Sequence, residues 1–584
     1  HSRSNKSKLQ IRLFESLHPL DDHQGHKHFI PINFINALIT EEAVRRELSG
    51  AGGKSLGQDE VAKLAQQITR LEPDGNSTDA GHRQRYKTFR RIFATLVCLE
   101  KSSAIAKFVQ EDINDLDLPL LRVPRDTSQG LYDLRCSRDT KKDLKIFRGW
   151  SQFQIRHFEE WQWTMLAPFF AMGDGDREVR HYKLHHQVIL PFLGDQSAEQ
   201  DGVQHDQQSL ELLGGSGRVF KTLIHYKHHG FHRVLKCPSA VSAGEECTCV
   251  FAIKRLHSQD EKYFHREVDT LKRVSRRPHD HLISLLVTYE HNHSYFLVFP
   301  CAEADLETYW EEVEPEPFMN RTTVDWMAQQ CKGLAHGITQ IHEHRSSSGS
   351  FELQQPSNPT LLGHHGDIKP ENVLWFPRSR GSPPKVADTD SERGTLKLSD
   401  FGLGSFSNHR TQSRSLPSFF GITFNYRAPE CDLNQGQNTK GRQYDVWTLG
   451  CLYLEFITWL LGGKELLDAF REARTTPDHS MRYGYTNEIK SDTFFQVELN
   501  ENGGTFAIVK PEVTDFIDKL HDRQNCTKFL HDFLDLVQNH LLVVLQGKPE
   551  KLDRFDIKQV HLELARMAGE CRVSEDYGCK PHSR

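Results

Sequence analysis

Long apolar runs are missing from this sequence of 584 residues. No uninterrupted stretch of about 18 apolar residues occurs, the length a helix needs to cross a bilayer core, so no membrane span is expected. Residues 1–10 carry basic groups with no apolar signal core behind them. The chain begins with His1 rather than Met, and a start upstream of it is expected. Charge of one sign is not in excess either. Lys and Arg number 73 against 79 Asp and Glu, a net −6, which leaves no basic surplus to hold nucleic acid or an anionic membrane. The 12 cysteines are scattered, which argues for reduced thiols in a cytoplasmic or nuclear compartment rather than a disulfide framework. Cys247 and Cys249 form a C-x-C pair with no second pair at zinc-binding spacing.

Histidine, by contrast, is plentiful at 33. Its clusters at 23–28, 185–186 and 225–232 show neither H-E-x-x-H nor mixed Cys/His finger spacing, so solvated surface histidines are expected. Hydrophobic residues make up 37% and charged residues 26%, a globular balance. The length suggests three to four folding units at about 150 residues each.

No internal repeat is present. Residues 1–180 read as mostly helical, with helix-like apolar spacing over 35–48 and 89–108. Trp150, Trp161 and Trp163 are expected to anchor a small core there. A polar linker is expected over 181–207. Short β-like runs then follow at 209–213, 218–225, 249–256 and 295–300, with an amphipathic helix at 260–275 among them. From about residue 320 helices dominate. Two pieces rich in Ser, Pro and charge, 345–359 and 377–394, read as exposed insertions.

Chemistry is concentrated in three motifs. His365-Gly366-Asp367-Ile368-Lys369-Pro370-Glu371-Asn372 is followed by Asp400-Phe401-Gly402 and then by Ala428-Pro429-Glu430. In this order they resemble the catalytic loop, the magnesium-binding motif and the end of the activation segment of eukaryotic protein kinases. The D-x-K-P-E-N form and Thr423, three residues before Tyr426, resemble the serine/threonine branch. With its long N-terminal extension, the chain also resembles kinase-domain proteins predicted in filamentous fungi.

The resemblance implies an α+β, bilobal protein-kinase-like fold. A small β-rich N-lobe would span 208–302 and a large helical C-lobe 303–568, with a tail at 569–584. It implies ATP and Mg2+ as cofactors and protein substrates with Ser or Thr acceptors. Asp367 would be the catalytic base, Lys369 would steady the γ-phosphate, and Asn372 and Asp400 would hold the metal. Lys254, in Phe251-Ala252-Ile253-Lys254, resembles the strand lysine that reaches the α- and β-phosphates. A lysine on a strand is otherwise ordinarily a solvated group. Glu267, 13 residues on, is its expected partner, with Glu261 the other choice.

Residues 212–219 resemble the glycine-rich loop. Leu212 takes the place of the first Gly, Gly214, Gly217 and Val219 match, and Gly215 and Leu213 complete the cradle. Glycine lets the backbone approach phosphates closely. Val219 and Ala252 would sandwich adenine, with Leu374 below. Phe299 would be the gatekeeper. Pro300 has no N–H, so Ala302 is the expected hinge donor, and Asp305 would approach the ribose. Leu271 would pack toward Phe401 and His365. Asp445 would brace the catalytic loop, and Glu430 would pair with Arg554.

One departure has a consequence for regulation. Gly366 stands where the family carries an Arg that binds a phosphorylated activation loop, so activity independent of such phosphorylation is expected. Three readings follow: an active serine/threonine kinase, an ATP-binding pseudokinase or signalling scaffold, and a kinase-fold enzyme acting on a small molecule or lipid. For residues 1–180 an interaction module, an autoinhibitory contact and a packing extension of the small lobe all stay open.

Overall fold

The computed structural model describes residues 7–19, 27–50, 57–73, 86–125, 131–137, 143–173, 178–193, 212–214, 217–232, 234–235, 249–257, 261–343, 363–378, 393–400, 425–433, 441–477, 490–501, 504–545 and 554–584. The chain is a mixed α+β protein with two compact units. One comprises 1–212, 218–256 and 286–299, and the other 213–217, 257–285 and 300–584.

In the first unit, short amphipathic helices enclose an apolar core. Helix Gln58–Thr69 shows how the pattern works. Val61, Leu64, Ala65 and Ile68 fall on one face and are buried, the i, i+3, i+4, i+7 spacing of a core-facing helix. The stretch expected as one helix over 35–48 is two helices, Ile32–Leu38 and Glu41–Gly50. Helix Gln152–Thr164 starts at a capping box in which Ser151 and Gln154 satisfy each other's backbone N–H. Trp163 is buried with Phe29, Ala167 and Ile189, whereas Trp150 and Trp161 lie half-buried against the neighbouring core.

The sheet of this unit runs in the order Arg180–Lys183, Val287–His291, Ser294–Pro300, Val250–Leu256, Gly217–Leu223, and ends at Leu212–Gly214. The strand Arg180–Lys183 pairs in parallel with Val287–His291, Val287 opposite Arg180 and Tyr289 opposite Tyr182. Residues 181–193, expected as the start of a polar linker, are therefore strand and core. Ile189, Leu190 and Phe192 are buried, because the apolar run at 188–192 finds cover under the sheet. The Leu193 N–H donates to the Leu223 carbonyl. The rest of the expected linker, 194–207, lies outside the described residues.

The histidine run at 225–232 corrects another expectation. His225, His228 and His229 are buried, not solvated. His228 accepts the Ile32 N–H at Nε2 (3.1 Å) and donates from Nδ1 to the Pro168 carbonyl (2.9 Å). Both ring nitrogens are used by a neutral imidazole, and burial lowers its pKa to about 4. Cys249 is disulfide-bonded, which departs from the expectation of reduced thiols throughout. Cys98, Cys331, Cys451, Cys526 and Cys571 are buried thiols.

In the second unit, helix Arg321–Glu343 packs along Ile557–Val573. A three-stranded sheet of Ala304–Asp305, Val373–Phe376 and Thr395–Leu398 lies beside them. The segment Arg442–Arg474 is the candidate span among the described residues, long and apolar enough to cross a membrane, yet 94% of its apolar window is buried inside the protein. It is a core helix broken at Gly462 and Gly463. Gly463 sits at φ +66, and a Cβ there would meet the Pro315 carbonyl oxygen at 2.5 Å. Only glycine fits that break. The two expected insertions lie mostly outside the described residues.

Candidate active site

The site in the second unit is built on a buried carboxylate. Asp445, in the first turn of the broken core helix, has no exposed surface. Its Oδ2 accepts the His365 N–H (2.7 Å) and its Oδ1 the Gly366 N–H (2.8 Å). His342 Nε2 lies 2.7 Å from Oδ2. Burial by itself would raise the pKa of Asp445, but the bonds from His342, His365 and Gly366 hold it below the ordinary carboxylate value. The expected brace on the loop backbone is thus in place. His342 was not anticipated, since an isolated Ile-His step at a helix end carries no sequence signal.

His365 fixes the loop from its other side. Its Nδ1 accepts the Asp367 N–H (3.2 Å), so its Nε2, 2.9 Å from the Ser399 carbonyl, must be the donor. That is the neutral Nε2–H tautomer. Burial lowers the pKa of this ring and favours the same state. Ser399 returns two bonds to the Asn372 carbonyl, from its N–H (2.8 Å) and its hydroxyl (3.0 Å). The residue that follows, Asp400, is thereby tied to the loop, at φ +56.

Three of the expected catalytic residues meet on this loop. Asn372 Nδ2 donates to the Asp367 carbonyl (2.7 Å) and to Asp367 Oδ2 (2.8 Å). Lys369 Nζ stands 3.7 Å from the same oxygen. The Asp367 side chain remains 42% exposed, so the carboxylate is aimed by its neighbours and open to a reactant. Gly366 holds φ +80, a left-handed conformation that costs any other residue energy.

The nucleotide residues expected in this unit come together through sheet register. Asp305 pairs with Leu374, and Ala304 with Trp375. Asp305 Oδ1 also accepts the Thr308 N–H (2.8 Å) as a helix cap. Ala302 lies half-buried before that strand. Glu430 and Arg554 form the expected pair, at 2.9 and 3.2 Å, with Arg554 fully buried and also bonded to the Val543 and Gln443 carbonyls.

In the first unit, Ala252 and Lys254 share one face of strand Val250–Leu256, as alternate residues do. Lys254 is buried. Val219 is half-buried on Gly217–Leu223, the strand that Gly217 opens. Leu213 and Gly214, which belong to the second unit, lie on the strand Leu212–Gly214. Gly215, Phe401, Gly402 and Thr423 lie outside the described residues, as does the side chain of Glu267, which sits on helix Glu261–Ser275.

A base-like carboxylate held by Asn and Lys, on a loop braced by a buried Asp and tied to a second Asp, marks the catalytic half of a phosphotransferase of the kinase type. A family model described as protein kinase domain matches residues 234–528, about half the chain, and the chain belongs to that family. It begins after the glycine-rich segment. The chain is 28% identical over 263 residues to cyclin-dependent kinase 7 of Dictyostelium discoideum, covering 44% of this chain and 60% of that protein. It is 28% identical over 207 residues to the serine/threonine-protein kinase ppk23 of Schizosaccharomyces pombe, covering 35% and 41%. With the serine/threonine-protein kinase unc-51 of Caenorhabditis elegans it shares 26% over 238 residues, covering 41% and 23%. The chain spans less than two thirds of the length of each of these relatives.

Proposed function

We propose that this chain is a serine/threonine protein kinase with two lobes, transferring the γ-phosphate of Mg-ATP to a protein hydroxyl. Asp367 orients the hydroxyl and takes its proton as the new O–P bond forms. The bond from the γ-phosphorus to the bridging oxygen breaks, and ADP leaves. Lys369 offsets charge on the moving group, and Lys254 holds the α- and β-phosphates, with Glu267 as its partner. Leu213, Gly214, Gly215, Gly217, Val219, Ala252, Ala302, Asp305 and Leu374 make up the rest of the nucleotide site.

The donor set suits magnesium. Asp400 offers a carboxylate, and Asn372, whose amide nitrogen is committed to Asp367, offers its amide oxygen. Hard oxygen donors of this kind match a small divalent cation. Such an ion neutralises charge on the phosphates when bound.

The observation that carries this reading is the Asn372 and Lys369 clasp on Asp367 over the Asp445 brace. Because Gly366 replaces the phosphate-binding Arg, activity does not require activation-loop phosphorylation. A preparation that loses all activity on phosphatase treatment contradicts that part.

The test is transfer of labelled γ-phosphate from Mg-ATP to a generic protein substrate. Asp367→Asn is expected to lower the rate by on the order of 10²- to 10⁴-fold, the size of a general-base contribution, and Lys254→Met to abolish it. ATP binding without transfer by the wild type leaves the scaffold reading instead.

A further inference from the structure

Arg471 lies in the second half of the broken core helix, beyond the Gly462–Gly463 break, and it touches two elements that bear on different reactants. Its guanidinium makes a two-pronged pair with Glu307, Nη1 to Oε1 at 2.5 Å and Nη2 to Oε2 at 2.6 Å. The same Nη2 reaches Glu455 Oε2 at 3.1 Å. Glu307 lies two residues after Asp305, in the turn that Asp305 caps.

Glu455 is fully buried in the first half of the helix. It accepts the Tyr426 hydroxyl on the same Oε2, and its Oε1 pairs with Arg474 at 3.0 Å. Burial by itself would raise the pKa of Glu455, but the two guanidiniums hold it below its ordinary value. Tyr426 is buried two residues before Ala428. A chain of polar contacts thus runs from Glu307 through Arg471 and Glu455 to Tyr426.

Glu455 keeps Arg474 and Tyr426 without Arg471, so the link to Glu307 is the one part of the chain that Arg471 alone supplies. Its side chain is 22% exposed and that of Glu307 is 26% exposed. Each can be hydrated if the other is removed, so a substitution here is expected to leave a folded protein.

We infer that Arg471 is a positioning residue that couples the nucleotide side of the site, at Asp305–Thr308, to the protein-substrate side, at Tyr426. The inference rests on the kinase reading above, in which Asp305 belongs to the nucleotide site and Tyr426, two residues before Ala428, belongs to the end of the activation segment, where the protein substrate would lie. The bidentate geometry makes the coupling specific to a guanidinium, since a Lys ammonium cannot match two carboxylate oxygens and reach Glu455 at once.

Coupling between two sites is reciprocal and is measured by a cycle. The experiment is the KM for ATP, at saturating protein substrate, in four proteins: wild type, Tyr426→Phe, Arg471→Met and the double variant. Tyr426→Phe is expected to raise the KM for ATP several-fold although Tyr426 meets no nucleotide, and to have no further effect once Arg471 is Met. Arg471→Lys is expected to recover less than half of the Tyr426→Phe effect on KM that Arg471→Met removes. A merely structural Arg471 would lower the melting temperature and the active fraction, hence kcat, and leave the Tyr426→Phe effect on KM the same in both backgrounds. That outcome overturns the inference alone. A wild type with no phosphate transfer overturns the kinase reading and this inference with it.

Discussion

The Gly366 N–H donates to Oδ1 of Asp445 at 2.8 Å, and Gly366 does so at φ +80. One buried carboxylate and one left-handed backbone position together set where Asp367 stands. The glycine that stands where the family resemblance expects a phosphate-binding arginine therefore also spares the loop the cost of a side chain at a left-handed position.

Restoring a side chain at that position should cost stability. Gly366→Ala and Gly366→Arg are each expected to lose about 1–2 kcal/mol of unfolding free energy, the cost of a left-handed conformation for an L residue. Denaturant titration checks this. Equal stability of Gly366→Ala and wild type would show that the loop relaxes out of the left-handed region.

Asp445→Asn replaces a charged acceptor of three bonds with an amide whose nitrogen must face an N–H. Losing charge-assisted bonds of this kind is expected to destabilise by about 2–3 kcal/mol. If the displaced loop loses the same energy in the transition state, kcat falls by about 30- to 160-fold. Melting curves beside phosphate-transfer rates test both. A variant that keeps the wild-type rate would mean that the brace does not position Asp367.

The buried histidines make the first unit sensitive to acid. Burial lowers the pKa of His225 to about 3, His228 to about 4 and His229 to about 3, whereas an unfolded histidine titrates near 6.5. Between those values the unfolded chain binds more protons, so stability is fully present above about pH 6.5 and falls as the pH drops toward 4. The charged and titratable groups near them, His18, Arg91, Lys227 and His232, repel a charged ring and act in the same direction. Melting temperatures from pH 7.5 to 4.5 should decline, and His229→Phe should flatten the decline. A flat profile for the wild type would show that these rings stay hydrated.

Removing residues 1–180 should destroy the first unit rather than release an inhibited enzyme. The deletion takes away Phe170, which is buried in the core with Phe231, Phe251 and Tyr289, and cuts into the strand Arg180–Lys183. It also strips Ile32 and Pro168 from His228. Insoluble or unfolded protein is the expected outcome, read by gel filtration and circular dichroism. A soluble deletion with raised turnover would support the autoinhibitory role instead.

Local signals made much of this molecule readable in advance. The strands near 218–225, 249–256 and 295–300 and the helix at 260–275 follow from side-chain periods of two and 3.6, and each recurs within a residue or two of its expected bounds. The motif around Asp367, Asp400, the Asp445 brace and the Glu430–Arg554 pair were legible through their resemblance to protein-kinase motifs, which fixes residue types at set separations, and the Asp445 and Arg554 contacts recur in the fold.

Other features carried no such mark. The segment 181–193 looked polar because its strand residues, Arg180 to Lys183, are charged or amphipathic. Arg180–Lys183 is sheet because the far edge of Val287–His291 offers unpaired backbone groups that must be satisfied. The histidines at 225–232 looked like surface groups because composition does not say what covers a side chain. Only the approach of Ile32, Pro168 and Phe170 from distant positions buried them. In the same way, nothing along the chain links Glu307, Tyr426, Glu455 and Arg471, which are separated by up to 164 residues. Spacing within a segment determined which residues could do chemistry. Burial and long-range contact decided which charges are paired and which rings stay neutral, because both depend on neighbours that only the folded chain supplies.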